Sequence, residues 1–229
     1  MIEEQDYLES FSHIPVMSEE VMSLLKITSE GVYVDGTIGL GGHSESILSQ
    51  LSHSGHLIGI DRDVQALEIC RKRTLTKHNN FSLFNDSYSN IQNILDQKGV
   101  LEVNGMLLDL GLSSFQLDNS RRGFSFKRNE NLDMRFDNFQ KISASDIINK
   151  FSEKDIADII FIYGEERLSR KIARKIVQLR PITTTFELVG AIQKSTPPKN
   201  RNKTIARVFQ AIRIVVNNEI KKLEEFPDV

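Results

Sequence analysis

The chain has 229 residues, of which 39% are apolar and 26% charged, and its formal net charge is −2. This length suits one large domain or a core with an insertion, and the apolar fraction excludes a disordered chain. The single cysteine, Cys70, excludes intramolecular disulfides and multi-cysteine metal sites. No apolar run approaches the length of a membrane span, and residues 1–11 are acidic, unlike a signal peptide. We therefore expect a cytoplasmic protein that binds no membrane and uses no metal in its chemistry.

The first half of the chain alternates between strand and helix patterns. The predicted strands lie near residues 32–35, 56–60, 80–84 and 104–110, and the helices between them near 44–52, 64–77 and 89–98. Such alternation predicts βαβ units and a parallel sheet. Ligands of these sheets bind at the carboxyl ends of the strands. Asp35, Asp61, Asp109 and the segment 85–88 all fall at those ends, so we expect them to share one rim.

The second half shows helix patterns without any further strand. These patterns lie near residues 143–150, 153–162, 165–179 and 184–194, with a long one from 204. We therefore predict a sheet domain beginning with residues 1–115, an inserted all-helical domain at 116–203, and a return helix at 204–229. The return helix carries Ile205, Val208 and Ile212 near one face, which predicts that it packs back onto the sheet.

A glycine-rich stretch, Asp35-Gly-Thr-Ile-Gly-Leu-Gly-Gly-His43, joins the first strand to the next helix. Gly39, Gly41 and Gly42 carry no Cβ and adopt positive φ without strain, so the backbone can lie against a ligand. The helix that follows points unpaired N–H groups at the same place. Asp61 ends the second strand, where a carboxylate can accept hydrogen bonds from a ribose diol. The pattern predicts a nucleotide site, with a plain tight turn as the alternative.

Asp35 and Ser44, the residue directly after this stretch, indicate which nucleotide binds. Ser44 occupies the place of the third glycine in the dinucleotide fingerprint. Asp35 puts a carboxylate where a pyrophosphate would otherwise lie, and two anions at close range repel each other. The sulfonium and ammonium groups of S-adenosylmethionine suit a carboxylate, so we favour this methyl donor as the cofactor.

Positive charge is concentrated in the helical half. Between residues 163 and 213 there are twelve basic residues and three acidic ones. The basic residues are Arg167, Arg170, Lys171, Arg174, Lys175, Arg180, Lys194, Lys199, Arg201, Lys203, Arg207 and Arg213. This surplus in a net acidic chain indicates a phosphate backbone as partner, although a solvated helix face remains the alternative for each single helix.

A series of motifs gives the chain a specific resemblance. They are His13-x-Pro-Val, Asp35-Gly-Thr-x-Gly-x-Gly-Gly-His43, Asp61-Arg-Asp63, Leu108-Asp-Leu-Gly-x-Ser-Ser114, Gln116-Leu-Asp118, Arg122-Gly-Phe-Ser-Phe126, Leu132-Asp-Met-Arg135, Tyr163-Gly-Glu-Glu-Arg167 and Phe209-Gln-Ala-x-Arg213. With these motifs in this order, the chain resembles the bacterial 16S ribosomal RNA cytosine-N4 methyltransferases of the RsmH (MraW) type. The resemblance extends from His13 to about Glu224.

The resemblance implies an α/β fold with the Rossmann-like parallel sheet of class I S-adenosylmethionine methyltransferases and an inserted all-helical domain. It also implies methyl transfer to the exocyclic N4 amine of a cytidine in the decoding region, with 16S ribosomal RNA in the small ribosomal subunit as partner. Beyond Asp35 and Gly39, the donor-binding residues expected by matched position are Gly41, Gly42, His43, Asp61, Tyr88, Asp109 and Gln116.

Asp109 is the expected catalytic residue. The N4 amine of cytosine is conjugated with its ring and is a poor nucleophile, so an acceptor at Asp109 would hold its N–H and align it with the methyl group. The base must also leave its stack, and Phe115, Phe124 or Phe126 could then stack on it, with core packing as an equally open interpretation. The residues expected to contact RNA are Ser113, Ser114, Phe124, Arg167, Arg174 and Arg207.

Members of the resembled family continue with further strands beyond the point where this sequence stops, at Val229. The fold is therefore expected to be C-terminally shortened, with the strand 104–110 at an edge of the sheet, self-association or a homodimer, and reduced stability and turnover. Three other functions stay open: a small-molecule methyltransferase, a nucleotide-binding oxidoreductase, and a non-enzymatic RNA-binding homologue.

Overall fold

The structure is a computed structural model and describes residues 15–74, 78–118 and 121–227. It separates into two compact units. The first contains the described parts of residues 1–115 and 222–229, and the second contains the described parts of residues 116–221. We call them the sheet unit and the helical unit.

The sheet unit is built on four parallel strands. They are β1 (Val32–Asp35), β2 (His56–Asp61), β3 (Phe81–Asn85) and β4 (Gly105–Leu107), in the order β3-β2-β1-β4. Asp35 pairs in register with Gly59 and Leu107, and Asp61 pairs with Asn85. β1 therefore ends level with β4, and β2 ends level with β3 two residues further along. The predicted α/β class with a parallel sheet is confirmed.

Helices cover both faces of this sheet. They are α1 (Ser18–Leu25), α2 (Gly42–Leu48), α3 (Val64–Thr74) and α4 (Ile91–Lys98), with a short 3₁₀ helix at Tyr88–Asn90. Successive strand residues point to opposite faces. Tyr33 packs with Ile47 of α2 on one face, whereas Val34 packs with Ile91 of α4 on the other. Apolar residues at consecutive strand positions are thus explained by burial on both sides.

Strand β4 differs from the other three. It covers only Gly105–Leu107, is half-buried, and pairs with β1 alone among the described strands. The predicted strand 104–110 is therefore shorter in the structure, and it lies at a sheet edge. The self-association expected from this edge stays a prediction.

The helical unit follows a short helix, α5 (Ser114–Asp118), in which the boundary between the units falls. Its helices are α6 (Ala144–Lys150), α7 (Glu153–Gly164), α8 (Ser169–Gln178), α9 (Thr185–Gln193) and α10 (Arg201–Asn217). The second boundary between the units falls within a further helix, α11 (Glu219–Glu224). Ser143 and Thr184 begin α6 and α9 with reciprocal capping boxes, which satisfy backbone N–H groups that the first helical turn leaves without partners. None of the helices in the described ranges combines the length and apolar character that crossing a bilayer requires.

The long helix α10 corrects the expectation for the end of the chain. Its apolar face, which includes Ile205, Val208 and Ile212, is buried within the helical unit, where α10 packs most extensively on α7. The helix ends at Asn217, because Asn218 takes a left-handed conformation with φ of 52°. Of the residues that follow α10, those from 222 onward belong to the sheet unit. There Phe226 packs beside the cluster around Ile91 and Ile94.

Candidate active site

The glycine-rich turn after β1 ties three strand ends together. The Gly36 N–H donates to the carbonyl of Leu107 in β4 at 2.9 Å, and the Ile38 N–H donates to the carbonyl of Ile60 in β2 at 3.0 Å. The backbone N–H of Asp109 donates to Thr37 Oγ1 at 2.7 Å. The turn therefore positions the side chains that follow β2 and β4 as well as those of β1.

Asp35 is the buried carboxylate of this rim, with 2% of its surface exposed. Its Oδ2 accepts a hydrogen bond from Ser44 Oγ at 2.7 Å, and its Oδ1 accepts one from the Thr37 N–H at 3.2 Å. Burial raises the pKa of Asp35 to about 6, and repulsion from Asp61 and Asp109 adds to the shift. The carboxyl group is thus poised to change its charge near neutral pH.

Asp61 is held from the glycine-rich turn itself. Its Oδ2 accepts from the Gly39 N–H at 2.8 Å, and its Oδ1 accepts from the Asp63 N–H at 2.9 Å. Gly39 has a φ of 51°, a conformation that suits glycine because it has no Cβ. Burial raises the pKa of Asp61 to about 6, against the lowering effect of these two hydrogen bonds. The predicted meeting of Asp35, Asp61 and the turn at one rim is present in the structure.

Helix α2 begins directly after the turn. Gly41, with a φ of 87°, is the residue before its first turn, which contains Gly42 and His43. His43 is buried, and its Nε2 lies 3.9 Å from Asp109 Oδ2. The Asp109 side chain, in contrast, is 60% exposed. This pair places one carboxylate of the rim in contact with solvent while its backbone stays anchored on Thr37.

The other predicted donor and substrate residues have different positions. Tyr88 is buried and makes an edge-on ring contact with Phe226, with 5.9 Å between the centroids. Ser113 lies on the sheet unit near Gly39, and a Cβ added to Gly39 would be 4.0 Å from the Ser113 Cβ. Gln116 is buried and belongs to the helical unit. The side chain of Ser114 lies outside the described residues.

Of the three phenylalanines considered for base stacking, Phe115 and Phe124 are core residues, whereas Phe126 is half-buried and its ring lies edge-on to Phe209. Phe124 is 5% exposed, and its ring stacks on Phe136 with 5.5 Å between the centroids. The guanidinium of Arg122 lies 5.5 Å from the Phe124 ring centroid. Phe115 is buried with Leu40 in the sheet unit. The predicted stacking role of Phe124 thus does not fit this burial, since its neighbours cover the ring, and the structure favours core packing.

The three arginines predicted to contact RNA differ in how far their charge is compensated. Arg174 Nε lies 3.5 Å from Glu153 Oε1, and Arg207 Nη1 lies 3.9 Å from Glu166 Oε2. Arg167 is exposed, and within the described parts of the chain no acidic side chain lies within ion-pair distance of it. It therefore keeps the most available positive charge of the three.

Thr37 and Ser44 are site residues that the sequence pattern does not reveal. In the sequence, Ser44 only occupies the place of the third glycine of the dinucleotide fingerprint. In the structure, its hydroxyl donates a hydrogen bond to Asp35. Thr37 anchors both Asp35 and Asp109. The only signal for either residue is a hydroxyl close in sequence to a strand-end aspartate.

Repulsion among Asp35, Asp61 and Asp109 indicates the charge of the ligand that this rim accepts. A cation would relieve the repulsion, and a pyrophosphate would increase it. S-adenosylmethionine carries cationic groups together with ribose hydroxyls that can donate to carboxylates, so the residues present fit this donor. Within the described ranges, no group of three or more His, Cys, Asp or Glu side chains is placed to hold a metal ion.

Comparisons with known proteins identify the family of this chain. A model of the MraW methylase family matches residues 10–228. Three similar proteins are each named ribosomal RNA small subunit methyltransferase H. The one from Thermosipho africanus is 46% identical over 93% of this chain and 74% of its own length. Those from Caldicellulosiruptor bescii and Acaryochloris marina are each 44% identical, over 93% and 96% of this chain and 71% and 73% of their own. The chain therefore belongs to the MraW methylase family.

Proposed function

We propose that this protein transfers a methyl group from S-adenosylmethionine to the exocyclic N4 amine of a cytidine in the decoding region of small-subunit ribosomal RNA, in the cytoplasm. The family match over residues 10–228 carries the proposal. It is supported by relatives named ribosomal RNA small subunit methyltransferase H that are 44–46% identical to this chain. The rim of three aspartates supplies a site of suitable charge.

The sheet unit would hold the donor, which supplies an electrophilic methyl group on a sulfonium. Asp61 already accepts two backbone hydrogen bonds that fix its carboxylate, and its remaining lone pairs would accept from the ribose hydroxyls. Asp35 would place negative charge near the cationic end of the ligand. Gly41 and Gly42, at the start of α2, carry no Cβ, which would let a ligand approach the backbone closely.

Asp109 would act on the acceptor amine. Its side chain is 60% exposed, and its backbone is held by Thr37. The carboxylate would accept a hydrogen bond from the N4 amine and orient the nitrogen, which is mainly a positioning effect. It would then take the proton that the methylated nitrogen releases, and its exposure gives that proton a path to solvent.

The helical unit favours RNA over a small molecule as the substrate. Twelve basic residues lie between positions 163 and 213, against three acidic ones. A small-molecule methyltransferase needs the donor site but not this charge. A phosphate backbone, in contrast, is attracted by clustered arginines and lysines.

The test is methylation of isolated small subunits that lack this modification, with a methyl-labelled donor and mass spectrometry of the digested RNA. We expect N4-methylcytidine at one position. Asp109→Ala should lower turnover by about 100-fold or more, whereas Glu102→Ala, which removes an exposed carboxylate from the loop before β4, should leave it unchanged. Absence of label in RNA, or label at another atom, would contradict the proposal.

A further inference from the structure

A cleft on the helical unit joins apolar and charged side chains. It has a volume of about 560 Å³ and is lined by Phe161, Ile162, Glu165, Arg167 and Arg207. Small-molecule and nucleotide pockets have volumes of about 300–1,000 Å³. The cleft therefore has the size of a site for one nucleotide.

The apolar wall of the cleft comes from the outer face of α7. This helix buries Ile156, Ile160 and Gly164 at helical spacing. Phe161 and Ile162, on the other side, are 59% and 62% exposed. Large apolar side chains that lie together in solvent mark interaction surfaces, and an exposed aromatic ring offers a face on which a base can stack.

Glu165 brings a carboxylate to the same cleft at the end of α7. It has a φ of 49° and a backbone N–H that donates to the Ile160 carbonyl, a position usually taken by glycine or asparagine. Among the described residues, its side chain has no hydrogen-bond or ion-pair partner. Because a carboxylate only accepts hydrogen bonds, it suits a ligand group that donates them, such as the exocyclic amine of a base.

Arg167 supplies a positive charge that no acidic side chain of the described residues compensates. Arg207, across the cleft on α10, is near the buried Glu166, which also accepts a hydrogen bond from Thr204 at 2.9 Å. Arg167 is exposed and lies two residues from Glu165. A guanidinium and a carboxylate in one cleft match the two polar parts of a nucleotide, which are its phosphate and its base edge.

We propose that this cleft binds one unpaired nucleotide of the RNA substrate whose base carries an exocyclic amine. Phe161 stacks on the base, Glu165 accepts from its amine, and Arg167 contacts the phosphate. This inference rests on the proposed RNA substrate and adds to it a separate recognition subsite on the helical unit.

The experiment measures fluorescence anisotropy of short oligocytidine and oligouridine with the full chain at fixed salt. We expect the wild-type protein to prefer cytidine, since uridine lacks the amine. Phe161→Ala should weaken binding of both by roughly 5- to 150-fold, whereas Phe161→Tyr keeps the ring and should bind normally. Glu165→Gln should abolish the preference for cytidine without large loss of uridine binding.

Phe186→Ala is the matched control, because Phe186 is a 50% exposed phenylalanine on α9 outside the cleft. It should bind both oligonucleotides like the wild-type protein. If Phe161→Ala also binds like the wild type while methylation of small subunits proceeds, the subsite is wrong and the proposed function stands. If base preference depends on Glu165 but no methyl group is transferred, the subsite stands and the proposed function fails. If Phe161→Ala weakens binding of intact small subunits but leaves oligonucleotide binding unchanged, the cleft contacts a protein of the subunit, and its assignment as an RNA subsite is wrong.

Discussion

The two units of this chain hold their charged residues in opposite ways. At the rim of the sheet unit, Asp35 and Asp61 are held by backbone N–H groups from one turn, and burial raises the pKa of each to about 6. On the helical unit, Arg167 and Arg174 are exposed side chains on long flexible stems. One unit concentrates negative charge in a fixed geometry, and the other presents positive charge to solvent.

The difference matches the two tasks proposed for these units. A reacting centre needs groups held within a fraction of an ångström, which backbone hydrogen bonds at strand ends provide. A phosphate backbone requires charge more than exact placement, because its attraction is long-ranged and independent of sequence. Substitutions should therefore have large, local effects at the rim and small, salt-dependent effects on the helices.

The largest effect is expected for Asp61→Ala. The variant loses the acceptor for Gly39 and Asp63 and the carboxylate proposed to bind the donor ribose. Hydrogen bonds to charged groups contribute about 1.5–3 kcal/mol each, so binding of S-adenosylmethionine should weaken by about 3 kcal/mol or more, measured by calorimetric titration. Asp96→Ala, at an exposed position on α4, is the control and should bind normally. Equal affinities of Asp61→Ala and the wild type for S-adenosylmethionine, or tighter binding of a nicotinamide dinucleotide, would contradict the assignment of the donor.

Asp35→Asn should separate stability from binding. The pKa of Asp35 in the folded protein is about 6, above its ordinary 3.8, so the folded state binds the proton more tightly than the unfolded state. This group stabilises the fold fully below about pH 4, and its contribution is lost as the pH rises through 6. The loss has an upper limit of about 3 kcal/mol at 1.36 kcal/mol per pKa unit.

The Asp35→Asn protein should therefore be more stable than the wild type at pH 7 and should bind the cationic donor more weakly. In the wild type, donor affinity should increase between pH 5 and pH 7 as Asp35 and Asp61 ionise. Urea unfolding and donor titration at both pH values measure these effects. An Asn variant that is less stable at pH 7 would show that the hydrogen bond from Ser44 outweighs the cost of the buried charge.

Gly164→Ala should destabilise the helical unit alone. A Cβ at Gly164 would lie 2.7 Å from the Arg207 carbonyl oxygen and 3.2 Å from the Ala211 Cβ, so α7 and α10 would have to move apart. Overpacking of this kind costs about 1–3 kcal/mol. Gly190→Ala, on α9 with nothing within 4 Å of the added Cβ, should instead stabilise by up to about 1 kcal/mol. Thermal unfolding distinguishes them, and equal melting temperatures would contradict the close packing of α7 on α10.

The smallest effect is expected for single arginines. Arg167→Glu should reduce the slope of log affinity for single-stranded RNA against log salt by about 0.7, because one phosphate is no longer neutralised. Arg174→Glu should change it less, because Glu153 already lies 3.5 Å from Arg174. Binding measured across a salt series tests both, with donor affinity unchanged as the control. If both variants keep the wild-type slope, this face is only solvated.

Much of the sheet unit could be predicted from the sequence. The alternation of strand and helix patterns, with Asp35 and Asp61 at strand ends, predicts their shared rim because parallel strands end at the same edge. The roles of Asp109, Tyr88 and Gln116 toward donor and substrate stay predictions. The motifs from Asp35 to Arg213 also identify the family, and the family match confirms it.

The packing partners of distant residues could not be predicted in the same way. An amphipathic pattern shows which face of α10 is buried but not which partner covers it, so the expected packing on the sheet was wrong and α7 took its place. Aromatic residues raise the same difficulty: Phe124 is covered by Phe136, while Phe161 stays exposed. Sequence periodicity therefore determined the elements and the rim. Only the tertiary structure decided the partners of Ser44 and Thr37, the burial of Phe124 and the cleft beside Phe161, because each depends on elements brought together by packing.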